Sequence, residues 1–313
     1  MVVHEHGVGM KIAVIGSYGA GLTMRVPRVP VAGETLSGGS FASGHGGKGS
    51  NQAVAAARLG AQVSLLTAVG ADQFGVAARE LWAREGVDAA GVRTTTASAT
   101  MVGVILVDAD GENRIAIAPG ALDELTPADV AGFAERIADA DLVVVSLEIP
   151  LPVALAALRT AHERGVRTLL NPAPAVALPD EAWAWIDVVT PNASEARVLT
   201  GRDPGDPATG DELVDLLRTR YAGTIVLTLG AEGALVDHDG RRTCVDPVTV
   251  ARVVDTTGAG DAFTGALAVA LACGDALTDA VRFAAAAGAH TVGVAEVIPA
   301  LPYPDDVAAL LRR

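Results

Sequence analysis

Cysteine, lysine and aromatic residues are scarce in this chain, and each shortage removes a class of protein. Cys244 and Cys273 are the only cysteines, in no C-x-x-C pair and beside no histidine cluster, which argues against a disulfide framework or a structural zinc site and suits a reducing cytoplasm. Aromatic residues make up 4% of a sequence that is 50% hydrophobic, so the core must come from Ala, Val, Leu and Ile, as in helices packed on a sheet. Basic residues are outnumbered 23 to 37 and scattered, which gives a formal charge of −14 and no footprint for nucleic acid. The longest apolar stretch, Ala262 to Cys273, is too short to span a membrane, and Gly274-Asp275 follows it. The opening MVVHEHGVGM lacks the basic start and apolar run of a signal peptide, so a soluble protein is expected, and 313 residues allow one large α/β domain or two small ones.

Short β-branched runs alternate with Ala-rich helical segments: KIAVIG (11–16), VSLLTAVG (63–70), DLVVVSLE (141–148), VRTLLN (166–171), DVVTPN (187–192) and TIVLTLG (224–230). Strands buried on both faces of a parallel sheet read this way. Helices are expected near 51–59, 73–85, 127–139, 152–164, 193–200, 211–220, 260–273, 275–290 and 304–312. The fold class is therefore α/β with a doubly wound, mostly parallel sheet. Two stretches break the rhythm: 22–43 lacks helical periodicity, and 101–118 reads as a hairpin with Asp110-Gly111 in its turn. They form either a small β-sheet lid over an active site or an ordinary extension of the sheet.

Asp255-Thr256-Thr257-Gly258-Ala259-Gly260-Asp261 carries the strongest chemical signal, between Val253-Val254, expected to end a strand, and a helix that stops at Gly274. Free N–H groups and the positive end of the helix dipole converge on such a turn and can hold an anion without any side chain. A carboxylate in that first turn, Asp261, can take a proton from a substrate hydroxyl while the N–H groups stabilise a transferred phosphoryl group. The plainer reading is that Asp261 only complements the helix dipole. Asp255, six residues earlier and beside two threonines, offers a cation ligand or an anchor for the loop.

Gly44-His45-Gly46-Gly47-Lys48-Gly49-Ser50-Asn51-Gln52 also precedes a helix, and Lys48 stands out in a chain with 2 lysines and 21 arginines. Walker chemistry is excluded because Gly49 follows Lys48 where Ser or Thr is needed. Residues 44–49 fit G-x-G-x-x-G, but no strand is evident running into them, so a dinucleotide reading lacks its context. Glu148, Asn192 and Glu195 lie at carboxyl ends of strands, where open α/β sheets place ligands, though each alone reads as a helix cap. Thr228 to Gly233 either cradles a nucleotide or turns a hairpin.

GGKGSNQA (46–53) and DTTGAGDAFTGAL (255–267), with AGETL (32–36), LEIP (147–150), NPAPA (171–175), PNASEA (191–196) and TLGAEG (228–233), resemble the signatures of the ribokinase, or phosphofructokinase-B, family of carbohydrate kinases. The resemblance runs from Lys11 to the last helix. It implies a single domain over residues 10–313 with a ribokinase-like three-layer α/β fold and a β-sheet lid, and transfer of the ATP γ-phosphate to a sugar hydroxyl. It makes Asp261 the catalytic base and Gly258, Ala259 and Gly260 the anion hole. Gly47, Lys48, Asn51 and Glu148 fall at the sugar, while Asn192, Thr228, Gly230, Glu232, Gly233 and Gly260 fall at ATP. Asn192 and Glu195 would organise Mg2+ through water, and a homodimer through the lid is implied.

Two departures from the family pattern bear on function. The family's GS-x-N-x-D reads Gly16-Ser17-Tyr18-Gly19-Ala20-Gly21 here, so positions 19 and 21 carry no polar group. Their loss enlarges the sugar pocket and should make ribose a poor substrate. The potassium loop keeps Asp255 and Thr257 as candidate monovalent-cation ligands, but its second half reads Gly293 to Ala300 without the usual glycine turn and Ser, which tells against K+ activation. A nucleoside or sugar-acid kinase on the same scaffold, and a sensor that binds without turnover, are the alternatives.

Overall fold

The computed structural model describes residues 9–312; the segment 1–8, where most of the signal-peptide reading falls, lies outside them. Strand β1 (Lys11–Ile15) is followed by an antiparallel pair, β2 (Gly19–Arg25) and β3 (Ser40–Gly46), and helix α1 (Lys48–Arg58) then leads to β4 (Gln62–Leu66). Next come β5 (Ala68–Gly70), α2 (Gln73–Arg84), β6 (Arg93–Thr95) and the hairpin β7 (Val102–Val107) and β8 (Asn113–Ala118). Helix and strand alternate through α3 (Pro127–Ala138), β9 (Leu142–Ser146), α4 (Leu151–Glu163), β10 (Arg167–Asn171) and β11 (Val188–Val189), then α5 (Ala193–Leu199), α6 (Gly210–Arg218) and β12 (Thr224–Thr228). The last described elements are β13 (Ala234–His238), β14 (Arg241–Val245), α7 (Ala259–Ala272), α8 (Leu277–Thr291), α9 (Val297–Ala300) and α10 (Pro304–Leu311).

Eight strands form the main sheet in the order β14-β13-β12-β11-β10-β9-β1-β4, parallel except that β13 runs antiparallel to both β12 and β14. Successive residues of each parallel strand enter different cores. Ile12, Val14, Leu142, Val144 and Leu169 pack under α1, α2, α7, α8 and α10, while Ala13, Ile15, Val143, Val145 and Leu170 pack under α3 to α6. This is the three-layer arrangement, and it explains why the buried strand positions on both faces are apolar, as in Ile12 to Ile15 and Leu142 to Val145. Helix α7 is buried almost all round, and a Cβ on its Gly265 would lie 2.8 Å from Ala55 Cβ and Gln52 O, so glycine there lets α7 sit directly against α1.

A separate four-stranded sheet, β3-β2-β7-β8, is built from the two irregular stretches. Its strands overrun the expected segment 22–43 at both ends, and residues between Val26 and Gly39 are the connecting loop. The hairpin reading of 101–118 holds, with Gly111 at φ 83° in the turn.

Three local expectations fail. The apolar run 63–70 is two strands, because the amide of Gly16 takes the carbonyl of Leu66 and ends the β1 ladder, after which β5 pairs with β6. Residues 253–254 form no strand: Val253 and Val254 are exposed, and this part of the loop is pinned by the Val254 amide on the Val292 carbonyl at 2.7 Å. Helix α1 begins at Lys48, earlier than expected, since Gly47 at φ 89° ends β3 and turns the chain directly into the helix.

At the other end of α1, Arg58 pairs with Glu85 at 2.9 Å, both side chains under 10% exposed, and donates to the carbonyls of Ile298 and Leu301 at 2.8 and 2.7 Å. Removing one partner leaves a buried charge unpaired, so Glu85→Leu is expected to destabilise the protein by about 3–5 kcal/mol. Urea unfolding measures this, and a loss below about 1 kcal/mol, the range of an exposed pair, would mean that the pair is effectively solvated.

Candidate active site

Helix α7 starts on Gly258, whose φ of 83° favours glycine, and a side chain there would also meet Val297 Cγ1 at 2.6 Å. Nothing lies within 4 Å of a Cβ placed on Gly260, so the helix end is open on that side. Ala259 N–H reaches Thr256 O at 3.3 Å, while the first-turn amides as a group have no intrahelical acceptor. In that turn Asp261 is buried, and both its oxygens are held: Asn51 Nδ2 donates to Oδ2 at 2.8 Å and Gln52 Nε2 to Oδ1 at 3.1 Å. Burial pushes its carboxyl above the ordinary range; Lys48 and the two amides oppose this, and Glu148 adds to it. The burial of Asp261 and its two side-chain donors go beyond what complementing the helix dipole requires.

The first turn of α1 lies against the chain leaving β1. A Cβ on Gly49 would be 2.6 Å from the backbone of Gly16, and one on Gly47 would be 2.4 Å from Tyr18 Cα, so these glycines permit backbone-to-backbone contact. Glu148 Oε2 accepts from Ser17 Oγ at 2.5 Å and from the Lys48 amide at 3.1 Å, which ties the end of β9 to the base of the small sheet. Strand β3 does run into the 44–49 glycine segment, contrary to expectation, but it is antiparallel to β2 in the small sheet and not part of a βαβ unit, so the dinucleotide reading still lacks its context.

Asn192 caps α5 in a capping box: its Oδ1 accepts from the Glu195 amide and Glu195 Oε2 from the Asn192 amide, both at 2.8 Å. Burial raises the Glu195 carboxyl, with Lys48 opposing and Asp261 adding, so this group shares the electrostatic field of Asp261. Thr228 bridges to Asn192, and Gly230 and Glu232 lie in the turn that joins β12 to β13. Gly233, at φ 90°, passes so close under the Val245 carbonyl that no side chain fits. The hairpin-turn reading of 228–233 is therefore realised, beside Asn192.

Asp255 Oδ1 accepts from the Thr257 amide at 2.9 Å, while Glu296 is exposed at φ 66° and Ala300 is a buried methyl. Gly19 corrects an expectation. A Cβ there would meet Met101 Cε at 2.3 Å, so Met101 already fills the space that Gly19 was expected to add to the pocket. At Gly21 the nearest atoms, Gly44 O and Ile105 Cδ1, are 3.8 Å away, and the position is open. Sequence reasoning missed Ser17, Gln52 and Asn171 as polar partners. Gln52 stood inside the glycine-rich motif, but its partner Asn171, 119 residues away, carried no local signal.

An enclosed carboxylate in a helix first turn, beside a lysine and open backbone amides, suits phosphoryl transfer to a small hydroxylated molecule. Residues 10–304 match the pfkB family of carbohydrate kinases, and the chain belongs to that family. It is 37% identical over 281 residues to a ribokinase of Haemophilus influenzae, covering 90% of this chain and 92% of that one. A ribokinase of Schizosaccharomyces pombe is also 37% identical, over 305 residues, with 93% and 96% covered. Among solved structures, Arabidopsis thaliana ribokinase complexed with ribose and ATP superposes with a TM-score of 0.89 at 29% identity, over 98% of this chain and 99% of that one.

Proposed function

We propose that the chain transfers the γ-phosphoryl group of ATP to a hydroxyl, most simply a primary one, of a sugar, with Asp261 as general base. The observation that carries this reading is the buried Asp261 carboxylate, gripped at both oxygens in the first turn of α7. Asp261 takes the hydroxyl proton as the sugar oxygen bonds to the γ-phosphorus and the bond to the ADP oxygen breaks. The amides of the Gly258–Asp261 turn stabilise charge on the transferred oxygens. Lys48, Asn51 and Glu148 orient the sugar. Asn51 spends its Nδ2 on Asp261, and its buried Oδ1 has no partner, which suits an acceptor for a sugar hydroxyl.

ATP is assigned to the edge made by Asn192 and residues 228–233, with the phosphates toward Gly260. Mg2+ would neutralise the phosphates there. Because the capping box occupies Asn192 Oδ1 and Glu195 Oε2, these residues suit holding the ion through water. The small sheet acts as a lid that excludes water. Met24, Phe41, Val104, Ile115 and Ile117 are exposed on it, which suits a homodimer through this sheet. A cytoplasmic setting fits the use of ATP; among the described residues no helix is long and apolar enough to cross a membrane.

The test is ADP release with ATP, magnesium and a panel of sugars, sugar acids and nucleosides. Sugar binding without ADP release would favour a sensor. The residues around Asp255 do not fit a potassium loop, since Ala300 offers a buried methyl and the Glu296 carboxylate lies in solvent. Turnover is therefore expected to differ little among potassium, sodium and tetramethylammonium at fixed ionic strength. Strong, saturable activation by potassium alone would overturn that.

A further inference from the structure

We propose that Gln52 is the positioning residue of the base: braced by Asn171, it fixes the plane of the Asp261 carboxylate and favours its charged form. This rests on Asp261 being the base. Gln52 has no exposed surface, so unlike Asn51 it is sealed away from any substrate. Its backbone is set by the α1–α7 contact at Gly265. A primary amide has two N–H bonds to give. Gln52 Nε2 gives one to Asn171 Oδ1 at 3.0 Å and the other to Asp261 Oδ1 at 3.1 Å.

Asn171, at the end of β10, is fixed in turn by Nδ2 donating to Thr190 O at 3.3 Å. The brace therefore runs from the sheet, through Gln52, to the base. With Asn51 on Oδ2 and Gln52 on Oδ1, the carboxylate cannot rotate without breaking a bond, and a fixed base is what a near-attack geometry needs. Gln52 Oε1, meanwhile, is buried with no partner. An unpaired buried carbonyl costs stability, so packing alone would be served better by methionine. The N–H groups are what the position supplies.

The charged groups facing Asp261 are Lys48 from α1, Glu148 beyond β9 and Glu195 from α5. A hydrogen bond donated to a carboxylate favours its charged form, so removing the Gln52 donor lets the Asp261 carboxyl rise. The base must be charged to act. The acid limb of kcat/KM then moves to higher pH.

Gln52→Met tests this, with sugar binding by calorimetry and thermal melting to confirm a folded protein. The expected result is a kcat lower by roughly 10–10²-fold, KM for sugar and ATP little changed, and an acid limb about one pH unit higher. Asn171→Ala, which removes the brace and leaves Gln52 in place, should shift kcat and the pH profile in the same direction by less. A kcat loss that only follows the folded fraction, or an unmoved acid limb in both variants, overturns the proposal. Asp261→Asn separates the two readings. An active Asp261→Asn enzyme removes the base itself, whereas an inactive one beside a normal Gln52→Met enzyme removes only the brace.

Discussion

Asp261→Asn should lower kcat by at least about 10²-fold while ATP affinity is largely kept, because the substitution removes the proton acceptor and leaves the first-turn amides in place. Asn51 and Gln52 hold the two oxygens of Asp261 as N–H donors, so neither contact can accept the proton in its stead. Burial raises its carboxyl, with the Lys48 ammonium and two amides opposing. The sign follows. A base with a raised pKa becomes protonated at a higher pH than an ordinary carboxylate, so wild-type kcat/KM should fall on the acid side sooner than for an exposed aspartate. Single-turnover kinetics and calorimetric ATP titration check both parts. Near-normal turnover in the Asn variant would take Asp261 out of the mechanism.

Ribose is expected to be a poor substrate, and Gly21→Asp is expected to improve it. Positions 19 and 21 carry no polar side chain where the family pattern has Asn and Asp. Sugar hydroxyls buried without partners lose about 1–3 kcal/mol each, so two such losses weaken ribose by roughly 10–10⁴-fold. The two positions are not equivalent. An aspartate at 21 enters open space, with nothing closer than 3.8 Å to its Cβ, whereas an asparagine at 19 must first displace the Met101 methyl. Gly21→Asp should therefore raise kcat/KM for ribose more than Gly19→Asn does, and the pair should respond further once Met101 is shortened. Measuring kcat/KM across the panel decides this. A wild-type value for ribose near about 10⁵ M⁻¹s⁻¹ would sink the idea of altered specificity.

The parallel layers were legible because their strands face two apolar cores and so carry short runs rich in β-branched residues, as in Leu142–Ser146 and Thr224–Thr228. The small sheet was legible from the absence of helical period and from Asp110-Gly111. The failures share a cause. Apolar continuity over 63–70 cannot reveal where one strand exchanges partners, and Val253-Val254 has β propensity but no neighbouring strand to pair with. In the site, motif spacing and the family resemblance pointed to Asp261, Lys48 and Asn51. Met101 filling the space beside Gly19 and the Gln52–Asn171 brace are contacts between segments far apart in sequence, invisible to any local pattern.

The bond between Asn51 and Asp261 spans 210 residues, and it bears on how the protein is made. A ribosome completes β1, the small sheet and the first turn of α1 long before it reaches α7. The early part of the chain supplies Lys48 and Asn51, the groups proposed to face the sugar. Asp261, the proposed base, arrives near the end of synthesis, and the helix that carries it is also the apolar rod that packs against α1. Packing of the core against α1 and arrival of the proposed base are thus one event, and a chain cut short before α7 would lack both.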